Sequence, residues 1–72
     1  VLSRRFYDLC PGDMFEAMCF DGDHDHDYCR VLVIAVQQDE PSWLYVTFLT
    51  QHGNLRTERF HDRAAVQVLE AA

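Results

Sequence analysis

Seventy-two residues, a formal charge of −6 and an apolar content of 49% describe a short, acidic chain of globular rather than disordered composition. A chain this short buries only about 60% of its unfolded surface, which disfavours the deep walled pocket of a self-sufficient enzyme, and no apolar run approaches the roughly 18 residues that a transmembrane helix needs. Twelve acids face six arginines with no lysine, which excludes Walker loops and Schiff-base chemistry and disfavours generic nucleic-acid binding, where affinity comes from neutralising phosphates.

The segment Arg4 to Leu9 reads either as a short strand or as a helical turn. Cys10-Pro11-Gly12-Asp13 is a turn signal, since Pro presets one φ angle and Gly permits a positive one. Met14 to Phe20 then reads as a strand, with Met14, Glu16, Met18 and Phe20 on one side and Phe15, Ala17 and Cys19 on the other, an alternation that Glu16 breaks. Residues 21–27, DGDHDHD, are too polar to pack and form a loop or hairpin tip. Tyr28 to Val36 follows. Its run Val31-Leu32-Val33-Ile34-Ala35-Val36 is apolar on both faces, which predicts a central strand covered on both sides. Gln37 to Ser42 is a loop around Pro41, which cannot donate to a ladder. Trp43 to Thr50 is the next strand, with Leu44, Val46 and Phe48 on one face and Trp43, Tyr45, Thr47 and Leu49 on the other. Gln51-His52-Gly53-Asn54 is a hairpin turn, and Leu55 to Phe60 is a polar strand suited to a sheet edge. Ala65 to Leu69 reads as a closing strand or, capped by Asp62, as a short helix.

Short strands with a turn signal every 8 to 12 residues predict a single all-β domain over residues 1–72. With Pro11-Gly12-Asp13 before the first strand, an acidic first loop, two long apolar strands and a tight turn into a polar fourth strand, the chain resembles the SH3-like barrel group, which includes Tudor and KOW modules. The resemblance implies a small five-stranded barrel, a shape that removes most exposed edges.

Three sites carry candidate chemistry. Asp21 to Asp27, flanked by Cys19 and Cys29, starts like an EF-hand loop. His26 then stands where the sharp turn needs Gly, and Leu32 stands where a bidentate Glu should close the site. Zinc fits the donors better, with His24, His26, Cys29 and Asp25 as ligands. The competing reading is a solvated acidic tip, in which the carboxylates raise the pKa of the neighbouring imidazoles. The second site is aromatic. Trp43 and Tyr45 share a strand face, and Tyr28, Tyr7 or Phe60 can join them. The Tudor resemblance implies a cage for a methylated cation, whereas the residues alone fit packing, or anchors for a protein partner. The third site is the pair Arg56 and Arg59 with Arg63 nearby. The first two lie on opposite faces of a regular strand, available to phosphate or to acidic groups, or paired with Glu58 or Asp62.

No G-x-S-x-G motif occurs, and adjacency alone does not make His61-Asp62 a dyad. The odd cysteine count, with no signal-like apolar stretch in VLSRRFYDL, predicts reduced thiols in the cytoplasm. The functional expectation is a non-catalytic adaptor that binds protein, with self-association as one way to cover the apolar surface. The alternatives are a metal-binding module, an acidic viral or phage accessory protein that inhibits a host factor, and nucleic-acid contact through a local arginine strip.

Overall fold

Two type II turns and one bulged hairpin set the strand boundaries in a computed structural model, which describes residues 2–18 and 28–69, the side chains of Met18 and Tyr28 excepted. At the first turn, Asp13 N–H donates to the Cys10 carbonyl with Gly12 at φ +98°, and the Asp13 carboxylate accepts the Cys10 N–H at 2.9 Å. At the second, Trp43 N–H donates to the Glu40 carbonyl with Ser42 at φ +78°. This turn type calls for Gly at that position, and a side chain in left-handed backbone costs about 1–2 kcal/mol. Ser42→Gly is therefore expected to raise stability by about 0.5–1 kcal/mol after the added entropy of the unfolded chain is subtracted. A rightward shift of the urea midpoint at unchanged slope checks it. In the hairpin, Gly53 takes φ +86° after a turn closed by its N–H on the Thr50 carbonyl. Thr50 is buried but satisfied, because its hydroxyl accepts the Asn54 N–H at 3.2 Å.

The elements are β1 (Leu2–Arg5), a 3-10 turn (Phe6–Asp8), β2 (Met14–Met18), β3 (Tyr28–Gln38), β4 (Trp43–Thr50), β5 (Leu55–His61) and β6 (Ala65–Leu69). They form one antiparallel sheet in the order β1-β6-β2-β3-β4-β5. The sheet has six strands rather than the expected five, and it is open, with β1 and β5 at its edges. The extra strand is β1, whose four residues are all exposed. Its strand conformation comes from pairing with β6 rather than from burial. That pairing also settles the Ala65–Leu69 segment as a strand, with Val66 and Val68 inward. No helix among the described residues is long and apolar enough to cross a membrane.

β3 is central in the ladder but is not covered on both sides. Val33 pairs with Phe48 while Ala35 pairs with Thr47, so Ile34 is an extra residue. Such a bulge shifts the side-chain phase by one. Val31 and Val33 are 0% and 1% exposed on one side of it, whereas Val36 packs on the core beyond it. Ile34 is left 44% exposed. The unbroken apolar run hides this change of phase.

The inner face is filled by Phe15, Val31, Val33, Leu44, Val46, Phe48, Val66 and Val68. The sheet curls enough for its two edge regions to meet over this core. Phe6, just after β1, stacks on Phe60 of β5 at 4.2 Å and 9°. Phe15 meets Phe6, Phe48 and Phe60 edge-on at 5.9, 5.9 and 6.3 Å. Backbone bonds hold this closure, from Phe6 N–H to the Ala64 carbonyl and from Tyr7 N–H to the Asp62 carbonyl.

Of the cysteines described, Cys10 is exposed and free. Cys29 lies in the core opposite Ala17 and is disulfide-bonded, its partner falling outside the described residues. The expectation of reduced thiols is corrected at this position.

Candidate interaction surface

Directly opposed residues of an antiparallel ladder share a face. Leu69 of β6 opposes Met14 of β2, which opposes Leu32 of β3, which opposes Leu49 of β4, which opposes Leu55 of β5. One row of apolar side chains therefore crosses the outer face from β6 to β5. The first four are half-buried and Leu55 is 66% exposed. Ile34 follows inward-facing Val33 and points out beside this row, and the bulge turns Ala35 outward as well, so that Val36 returns to the core.

Toward the opposite end of β4 the same face becomes amphipathic. The Thr47 and Thr57 hydroxyls share a hydrogen bond at 2.9 Å. Tyr45, 39% exposed, opposes Arg59, and Trp43 opposes His61. The Arg59 guanidinium lies 4.3 Å from the centre of the Trp43 ring, with Glu40 and Asp39 carboxylates 3.7 and 4.0 Å away. His61 meets the same indole edge-on at 5.3 Å. Arg59 thus covers one face of the indole, and this cation–π contact is made within the chain. The whole face spans about 20 Å on a side, from strand spacing and rise.

The structure brings Trp43, Tyr45 and Arg59 together. Phe60 does not join them, because it lies on the inner face against Phe6 and Phe15. Arg56 also faces inward, opposite Phe48, and bonds Glu58 at 3.2 Å. The two arginines are on opposite faces, as their spacing predicts, so β5 presents no arginine strip. Tyr28 opens β3 opposite Met18, and its side chain is outside the described set. Tyr7 is 56% exposed beside the closure rather than on the outer face.

His24, Asp25 and His26 lie outside the described residues. Cys29, as one half of a disulfide, offers no thiolate to zinc. Among the described residues no group of three or more His, Cys, Asp or Glu is placed to hold a metal. His61 Nδ1 lies 3.6 Å from Asp62 Oδ1, but that nitrogen accepts the Arg63 N–H at 3.2 Å. At 3.6 Å the imidazole and the carboxylate are not hydrogen-bonded to each other.

The sequence reading misses the leucine row. Its signal is an apolar residue at positions where alternation with a solvated face calls for a polar one, at Leu32, Leu49 and Leu55. No protein-family model matches the chain, and neither a curated protein nor a solved structure matches it significantly.

Proposed function

We propose that this protein is a non-catalytic protein-interaction module that engages its partner with the outer face of its sheet. The observation that carries the reading is the continuous row from Leu69 to Leu55, with Trp43, Tyr45 and Arg59 beside it. Aromatic residues, Met and Arg are the types enriched in interface cores. In this reading the curled sheet is a variant of the SH3-like barrel in which β1 extends past the closing strand. The strand order β6-β2-β3-β4-β5 and the Pro-Gly turn before β2 support that assignment. The net charge of −6 favours a partner whose apolar centre is flanked by basic groups, through steering during encounter.

Ile34→Asp combined with Tyr45→Ala changes two exposed outer-face side chains and leaves the core intact. The double variant is expected to lose more than about tenfold in affinity for the partner that wild-type protein captures from its native cells. Leu2→Asp, on the far edge strand, is expected to bind as wild type does. Equal capture by all three proteins would overturn the reading.

A further inference from the structure

β5 is an edge strand whose unpaired side has a specific register preference. Thr50 N–H bonds the Asn54 carbonyl and Asp62 N–H bonds the Ser42 carbonyl. The even-numbered residues from 54 to 62 therefore aim their backbone groups at β4. Leu55, Thr57 and Arg59 aim theirs outward, and no described strand lies beyond them. Among the described residues, the 3-10 turn guards the other end of β5, at Phe60 and Asp62. On the inner face of the open stretch sit Arg56 and Glu58, 28% and 46% exposed and 3.2 Å apart.

Inward-facing charges on an edge strand block indiscriminate pairing, because a strand docking there must place something opposite them. A second copy of the same strand supplies the complement. We propose that β5 pairs antiparallel with β5 of a second copy, about a two-fold axis through Thr57. In this register Thr57 opposes Thr57, and Leu55 opposes Arg59. All of these are outward-bonding residues, so the ladder hydrogen bonds form. Arg56 of each copy then faces Glu58 of the other, and the two existing pairs merge into a square of alternating charge. The neighbouring registers with the same bonding phase place Arg56 opposite Arg56 or Glu58 opposite Glu58, and like charges directly opposed are destabilising. Charge complementarity thus selects one register among those the backbone permits. The axis is perpendicular to the sheet, so the two outer faces lie side by side on the same surface of a twelve-stranded assembly. This inference does not depend on what binds the outer face.

Charge exchange tests it. Arg56→Glu makes all four positions of the square acidic, and Glu58→Arg makes all four basic. Each variant alone is expected to dimerise at least about tenfold more weakly than wild type in sedimentation equilibrium. An equimolar mixture of the two is expected to form a one-to-one heterodimer, which also shows that both variants fold. In wild-type protein the Leu55, Thr57 and Arg59 amides are expected to gain hydrogen-exchange protection on going from dilute to concentrated solution. The proposal is overturned if wild type stays monomeric at the concentration of an NMR sample, if the single variants dimerise as well as wild type, or if those three amides exchange at a rate independent of concentration.

Discussion

Phe15→Ala is expected to cost about 3–5 kcal/mol, against a total stability of roughly 4–10 kcal/mol for a chain of this length. The side chain is 2% exposed and lies edge-on to three other phenylalanines. Its removal leaves a cavity at the one point where β2, β4, β5 and the 3-10 turn all converge. Rigid strands cannot relax into that space without breaking ladder bonds, which places the cost toward the upper end of the range. Aromatic pair contacts add about 0.5–1.5 kcal/mol each beyond buried area. Phe15→Leu keeps most of the volume and is expected to cost less than half as much. Urea unfolding followed by far-UV circular dichroism measures both, with the midpoint falling for each and the alanine variant substantially unfolded without denaturant.

The second large effect is a contrast between neighbours. Val33→Asp is expected to abolish folding, because it places an uncompensated carboxylate at a position 1% exposed, opposite Phe48. Ile34→Asp, one residue along, is expected to cost less than about 1 kcal/mol, since that side chain points out of the sheet and is 44% exposed. A strand buried on both faces would lose folding in both variants. Dispersed amide resonances in the Ile34→Asp spectrum and their collapse in Val33→Asp would confirm that the outer face of β3 is open to solvent. Collapse in both would show that the outer face of β3 is covered.

Much of the strand layout is legible because local chemistry decides it. Trp43 to Thr50 alternates cleanly, and its inward set Leu44, Val46 and Phe48 is buried, with Thr50 continuing the same face. The turns at Gly12 and Gly53 announce themselves by residue type. Non-local features are not legible in this way. Leu2 to Arg5 has no alternation to read, and β6 makes it a strand. The bulge at Ile34 occurs inside a uniformly apolar run, where a change of phase leaves no mark. Trp43 and Tyr45 are visible as a candidate surface because they lie two apart on one strand. Their partner Arg59 and the leucine row depend on how four hairpin and crossover connections set the registers. A one-residue slip in any of these would break the row.

The pairing of β1 with β6 has a consequence in time. Leu2 lies against Val68, so the ladder that completes the sheet joins the first described strand to the last. The β3–β4–β5 meander can form from neighbours alone, through connections of a few residues. The closing ladder must instead bring together segments separated by nearly the whole chain, and topologies dominated by such contacts fold on the millisecond-to-second scale. Phe6 directly follows β1 and its N–H is held by the Ala64 carbonyl just before β6, so the phenylalanine cluster is expected to be completed together with that ladder.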